Sequence, residues 1–139
     1  MKFLHTMIRV KDIKAALFFF CEGLGLKEIR RHDYPEGKFS LIFLATAEGE
    51  PEIELTHNWD HDEDYSVGRN FGHVAFAVDD IYASCEHLEK LGIQVLRPPR
   101  DGRMAFVRSP DNISVELLQK GEALAPKEPW KSRASVGEW

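Results

Sequence analysis

The chain has 139 residues, about the length of one domain, with 18 Lys and Arg against 23 Asp and Glu. Its formal net charge of -5 argues against a nucleic-acid-binding protein, because phosphate recognition requires a basic surface. Two cysteines are too few for a disulfide scaffold, and the longest apolar run, Ala15 to Cys21, is too short to cross a membrane. The amino terminus lacks the apolar segment of a signal peptide. We therefore expect a soluble, cytoplasmic protein that binds neither nucleic acid nor membrane.

An internal repeat organises the sequence. The matching residues, separated by 62 to 68 positions, are His5 and His73, Asp12 and Asp80, Ile13 and Ile81, Gly25 and Gly92, and Glu54 and Glu116. The same residue types recur in the same order, which indicates two copies of one structural unit rather than chance. A histidine and a glutamate thus occupy equivalent positions in each copy.

Each half shows the same succession of hydrophobic patterns. The first half predicts a strand over 4–10, a helix over 13–22, and strands over 26–31, 39–45 and 52–56. The second half predicts a strand over 73–78, a helix over 81–91, and strands over 94–97, 104–108 and 114–119. Asp12 and Asp80 stand where a helix N-cap belongs, and Gly25 and Gly92 stand where glycine ends a helix.

Each half is therefore predicted to be a βαβββ module, and the predicted fold class is α+β. A half of this size is too small to bury its sheet alone. We expect the two modules, about 1–66 and 67–119, to pack into a single domain over 1–119. Residues 120–139 form a C-terminal tail that contains Trp130 and Trp139. The sequence leaves open whether this tail is frayed or lies across the domain or a partner subunit.

The repeated histidines and glutamates indicate a metal site. Alternate residues of a strand share a face, so a pseudo-two-fold would bring all four side chains onto one concave surface. The four residues are His5, Glu54, His73 and Glu116. Two imidazoles and two carboxylates suit a divalent transition metal such as Ni, Co, Zn, Mn or Fe, with water completing a six-coordinate shell. The pattern alone also allows hydrogen-bonded core histidines and glutamates at a sheet edge.

Four motifs in order resemble the glyoxalase I (lactoylglutathione lyase) family of the vicinal oxygen chelate superfamily. They are His5-Thr-Met-Ile-Arg-Val, Glu54-Leu-Thr-His-Asn58-Trp59, Phe71-Gly-His73 and Ser109-Pro-Asp-Asn-Ile-Ser-Val-Glu116-Leu. The resemblance covers residues 3 to about 119. It implies the paired βαβββ fold of glyoxalase, bleomycin resistance and dioxygenase proteins, with all four repeated side chains as metal ligands. It also implies a homodimer with shared active sites. The short chain resembles the bacterial type that favours Ni or Co, with Zn possible.

The resemblance implies a specific reaction. Glyoxalase I isomerises the hemithioacetal of methylglyoxal and glutathione, its co-substrate, to S-lactoylglutathione. This isomerisation removes a proton beside a carbonyl group and returns one to the neighbouring carbon, with the metal acting as Lewis acid. A carboxylate beside the metal is the expected base. By resemblance Glu116 is our first choice for this base, and Glu54 is its counterpart on the other side of the substrate.

Substrate-binding candidates follow from both the strand faces and the resemblance. Arg9 shares a strand face with His5, and Asn58 shares one with Glu54. Arg9, Asn58 and Arg69 match glutathione-contacting positions of the family. Arginine suits the two carboxylates of glutathione, because its planar fork binds a carboxylate through two hydrogen bonds. The remaining candidates are Arg103, Met104 and Phe106.

Two other kinds of protein remain as alternatives. One is another metal-dependent enzyme of the superfamily, such as a dioxygenase, epimerase or thiol transferase. Glu54 argues against a dioxygenase, which binds iron through two histidines and one carboxylate. The other is a non-catalytic binding protein of the bleomycin-resistance type, which the presence of four candidate ligands disfavours.

Overall fold

The computed structural model describes residues 1–139, which divide into two units, Met1–Ser66 and Val67–Trp139. In the first unit the elements are β1 (His5–Arg9), α1 (Ile13–Leu17), a π-helical turn (Phe18–Gly23), β2 (Lys27–Tyr34), β3 (Phe39–Ala45) and β4 (Glu52–Asn58). Its sheet has the order β1-β4-β3-β2, with β1 parallel to β4 and the other pairs antiparallel. No helix in the chain has the length and apolar character needed to span a membrane.

The second unit repeats this arrangement with one strand fewer. Its elements are β5 (His73–Val78), α2 (Ile81–Lys90), β6 (Met104–Arg108) and β7 (Ser114–Gln119). The sheet has the order β5-β7-β6, with β5 parallel to β7 and β6 antiparallel to it. In both units, therefore, the first strand lies parallel to the last strand and forms an edge of the sheet.

Aspartate starts each helix as expected. The Asp12 carboxylate accepts a hydrogen bond from Ala15 N at 3.0 Å, and the Asp80 carboxylate accepts from the backbone of Tyr82 and Ala83 at 2.9 and 3.0 Å. These bonds satisfy backbone donors that the first turn of a helix leaves unpaired.

Two predicted elements differ from the structure. The helix expected over 13–22 is α-helical only to Leu17, after which the backbone widens into the π-helical turn. The strand expected over 94–97 is reduced to a single bridge between Arg97 and Phe106. Pro98 and Pro99 follow immediately and have no N–H to donate, so pairing cannot extend beyond Arg97. The Leu96 carbonyl instead accepts a hydrogen bond from the tail residue Val136 at 2.8 Å.

The last twenty residues are tied to the second unit rather than frayed. Trp130 is buried, and Tyr82 of α2 donates a hydrogen bond to the Ala125 carbonyl at 3.0 Å. Arg133 forms an ion pair with Glu89 of α2 at 2.5 Å. The terminal Trp139, in contrast, is exposed.

We predict that Trp130→Ala lowers the free energy of unfolding by about 3 kcal/mol, because it empties a fully buried site. This value is at the lower end of the losses expected for a buried tryptophan. The Trp130 Nε1 is buried without a hydrogen-bond partner, which already costs the folded state free energy. Urea unfolding followed by circular dichroism measures the change. Trp139→Ala is the matched control and is expected to leave stability nearly unchanged; equal losses in both variants would contradict a structural role for Trp130.

Candidate metal centre

The pairing of β1 with β4 brings a histidine and a glutamate together in the first unit. His5 lies opposite Glu52, and Met7 lies opposite Glu54, so Glu54 is two residues beyond the position opposite His5. His5 Nε2 is 2.9 Å from Glu54 Oε2. Ile53 and Leu55 alternate with the glutamates of β4 and are buried, so the glutamates occupy the other face of the strand.

The second unit builds the same pair in the same register. His73 lies opposite Ser114 in β7, and Glu116 is again two residues beyond that position. His73 Nε2 is 3.1 Å from Glu116 Oε2. The predicted equivalence of the two histidines and the two glutamates thus corresponds to one local geometry, built twice.

In each unit a phenylalanine on the neighbouring strand contacts the histidine of the pair. Phe43 of β3 lies opposite Glu54, and Phe106 of β6 lies opposite Glu116. The rings of His5 and Phe43 meet edge-to-face at 6.2 Å between centroids, and those of His73 and Phe106 at 5.4 Å. Such contacts restrict the orientation of an imidazole.

Sequence reasoning proposed Phe106 but missed Phe43. The run of apolar residues in β3 hides the alternation that would have marked Phe43 as facing the site. The repeat carried the missing signal, because Phe43 stands eleven residues before Glu54 and Phe106 stands ten residues before Glu116.

The donor types in each unit, one imidazole and one carboxylate, suit a divalent cation. The side chains of Glu54 and Glu116 are only 13% and 14% exposed, whereas those of His5 and His73 are 40% and 43% exposed. A mostly buried carboxylate requires a charged or hydrogen-bonding partner, and an imidazole beside it supplies nitrogen for the same ion. Within either unit no third His, Cys, Asp or Glu forms a metal-binding group with the pair. Each unit therefore supplies two protein donors, one nitrogen and one oxygen.

The predicted substrate-binding residues of the first unit flank this pair. Arg9 is exposed at the end of β1, on the face that carries His5. Asn58 ends β4, and its Nδ2 donates to Tyr65 Oη at 3.2 Å. Arg9 is thus accessible to a ligand, whereas the amide of Asn58 is held by a tyrosine.

In the second unit the predicted residues lie in two places. Arg69 is exposed in a turn four residues before His73. Met104 and Phe106 lie in β6 on the face that carries Glu116. Arg103 is exposed, but its Nη1 donates to the Gly121 carbonyl at 2.6 Å, so its guanidinium ties the start of β6 to the tail.

Asp101 organises the loop that leads into β6. Its carboxylate accepts hydrogen bonds from Arg97 Nη2 at 3.0 Å, Arg103 N at 2.9 Å and Met104 N at 3.2 Å. Burial alone would raise the pKa of Asp101, but these hydrogen bonds and the charge of Arg97 outweigh it and hold the pKa well below its usual range. The ionised form of Asp101 therefore stabilises the loop.

Comparison with known proteins identifies the family. The model of the Glyoxalase/Bleomycin resistance protein/Dioxygenase superfamily matches residues 2–117. The chain belongs to this superfamily. A probable lactoylglutathione lyase of Synechocystis is 42% identical over 123 residues, covering 84% of this chain and 93% of that relative. A lactoylglutathione lyase of Neisseria meningitidis is 42% identical over 127 residues, covering 86% of this chain and 91% of that relative.

Solved structures of the superfamily agree with this assignment. The trypanothione-dependent glyoxalase I of Leishmania major matches with a TM-score of 0.81 and 34% identity, covering 86% of this chain and 87% of that chain. Glyoxalase I of Zea mays matches with a TM-score of 0.80 and 31% identity, covering 87% of this chain and 45% of that chain. The α+β fold of paired βαβββ modules and the relationship to glyoxalase I, both expected from the sequence, are confirmed. The names of these relatives favour a lyase over a dioxygenase, an epimerase or a binding protein.

We predict that the stabilising effect of Asp101 depends on pH. Because its folded-state pKa is lowered, the contribution is complete above the ordinary carboxyl pKa and is lost as pH falls through the folded-state value. The difference in unfolding free energy between the native chain and Asp101→Asn should therefore shrink as the solution is acidified. Urea unfolding across a pH series tests this, with the exposed Asp62 substituted as a control; a difference independent of pH would contradict it.

Proposed function

We propose that this chain isomerises the hemithioacetal of glutathione and methylglyoxal to S-lactoylglutathione, with a divalent metal as cofactor. The observation that carries the proposal is the pair of His–Glu sites built in one register by two parallel strand pairs. Its support is that relatives 42% identical to the chain are named lactoylglutathione lyases. The expected cytoplasmic location agrees with two free cysteines, because cytosolic glutathione keeps thiols reduced.

The side chains that would hold the metal are His5, Glu54, His73 and Glu116. Nickel or cobalt is favoured and zinc is possible, as the resemblance to the short bacterial type implies; imidazole nitrogen and carboxylate oxygen are suitable donors for all three ions. A bound divalent ion supplies Lewis acidity that stabilises negative charge on substrate oxygens. The edge-to-face contacts with Phe43 and Phe106 fix the two imidazoles that set the geometry of the site.

Glu116 is the proposed base. It removes the proton from the carbon that bears sulfur and returns a proton to the neighbouring carbon. Its side chain is mostly buried beside the ring of Phe106, so bulk water has little access to the transferred proton. Glu54 has the matching environment beside Phe43, which suits it to the opposite face of the substrate.

The glutathione part of the substrate carries two carboxylates. Because the chain has a net charge of -5, binding them requires local cations. Arg9 and Arg69 are exposed, and we assign them to the carboxylates of glutathione. Asn58 supplies a hydrogen bond to the peptide part, and Met104 and Phe106 line the pocket for the aldehyde-derived end. Arg103 is the weakest assignment because its guanidinium already donates to Gly121.

We also propose a homodimer in which each active site takes two ligands from each chain. Each unit offers only two donors by itself, so a metal needs more than one unit, and the resemblance to glyoxalase I implies that these units belong to two chains. The outer strands β1 and β5 leave a sheet edge open in each unit, and exposed apolar side chains lie on or beside them. These side chains are Phe3, Leu4, Met7 and Phe71.

We predict that Glu116→Gln lowers kcat on the order of 10²- to 10⁴-fold, because the change removes the proton acceptor but keeps the size of the side chain. Metal-free protein is reconstituted with Ni²⁺, Co²⁺ or Zn²⁺, and formation of the thioester product is followed. The exposed Glu48 provides a control, since Glu48→Gln should retain native turnover. Absence of turnover by the native chain with every metal would rule out the proposed reaction.

Mixing two inactive variants tests whether sites are shared between chains. If Glu54→Gln and Glu116→Gln chains exchange freely, half of the dimers are mixed and one of their two sites is intact, so about a quarter of native activity returns. Each variant alone should stay inactive. A mixture that regains no activity after denaturation and refolding together would contradict shared sites, whereas the Glu116→Gln result would still stand.

A further inference from the structure

A third carboxylate lies beside the His5–Glu54 pair. Glu52 stands directly opposite His5 in the pairing of β1 with β4, and alternation places it on the same face of β4 as Glu54. In the second unit the position opposite His73 holds Ser114, which carries no charge. The first unit therefore has one more carboxylate near its histidine than the second.

Arg30 of β2 binds the Glu52 carboxylate. Both terminal nitrogens of its guanidinium donate to the two oxygens of Glu52, with 2.8 Å between Nη2 and Oε2. The guanidinium carbon also lies 3.8 Å from the centroid of the Phe43 ring. Phe43 belongs to β3, and β4 separates β3 from β1. Glu52 thus leans across the sheet toward β3, while Glu54 leans toward His5.

The backbone places Arg30 where it can do this. The ladder between β2 and β3 shifts register between Glu28 and Arg30, which sets Arg30 opposite Phe43. The planar guanidinium can stack on the ring and bind both carboxylate oxygens at once, a combination that lysine cannot provide. The next residue, Arg31, lies opposite the buried Ile42 and pairs with Glu28 instead.

We propose that Arg30 is a positioning residue that holds Glu52 out of the metal centre, so that the ion meets two carboxylates instead of three. Without Arg30, Glu52 is on the correct face and only one strand spacing, about 4.8 Å, from His5. A third carboxylate would add negative charge and fill a coordination position that the substrate oxygens need. This inference rests on the proposed metal centre.

The test uses Co²⁺ as the probe, because its visible absorption reports coordination geometry. Metal-free native chain and Arg30→Met are titrated with Co²⁺. We expect Arg30→Met to show a changed spectrum and a Kd lower by about tenfold, the size of effect that residues around metal ligands commonly exert. The double variant Arg30→Met/Glu52→Gln should regain the native spectrum, and Glu52→Gln alone should keep it. Arg31→Met is the matched control, since it breaks a similar ion pair on the other face of β2.

Three results would overturn the proposal: a native spectrum in Arg30→Met, an altered spectrum that persists in the double variant, or an altered spectrum in Glu52→Gln alone. If Arg30→Met does not fold, the spectrum of Glu52→Gln alone still tests the proposal. Failure of the metal centre itself has a different signature. In that case the native chain takes up no Co²⁺, or Glu54→Gln binds the ion as the native chain does.

Discussion

The parallel pairing of the first strand with the last strand of each unit is the constraint on which the site depends. In this pairing each glutamate stands two residues beyond the position opposite its histidine. The two side chains still approach each other to within hydrogen-bonding distance. The register is fixed by the opposite face, where Ile8 and Leu55 are buried in the first unit. A slip of one residue would send His5 into the core and expose Ile8, so hydrophobic burial holds the polar geometry in place.

The electrostatics of the chain are local rather than global. The net charge of -5 belongs to the whole chain, yet the carboxylates of the candidate metal centre, Glu54 and Glu116, are mostly buried beside imidazoles and phenylalanine rings. A mostly buried carboxylate needs a charged or hydrogen-bonding partner, and the neighbouring imidazole is one such partner. Glu52 shows the other solution, in which an arginine neutralises the carboxylate within the protein. Two glutamates on one strand face thus have different partners because the neighbouring strands present different side chains.

The two units share the arrangement of their common strands but differ in the segments that surround these strands. The first has four strands, whereas the second replaces a fourth strand with the bridge at Arg97 and a loop held by Asp101. The tail then contributes a hydrogen bond to Leu96 and buries Trp130. The family model matches residues 2–117 and so ends before this tail.

The sequence by itself determined the repeat, the strand faces and the capped helices. Its signals there are local: alternation along β4, Asp12 and Asp80 before apolar helical patterns, and glycines at φ of +77° and +79° after them. The repeat also singled out the histidine and glutamate of each unit. It could not reveal Phe43, because an almost wholly apolar strand has no visible alternation.

Tertiary structure alone decided which partner each charged side chain takes. Arg30 and Glu52 are 22 residues apart, and nothing local to either residue marks them as a pair. Their meeting depends on the order of three strands and on one register shift in β2. The Leu96 carbonyl likewise takes its hydrogen bond from Val136, forty residues further along the chain. Contacts between distant segments depend on how the whole chain packs, and local sequence patterns carry no information about that packing.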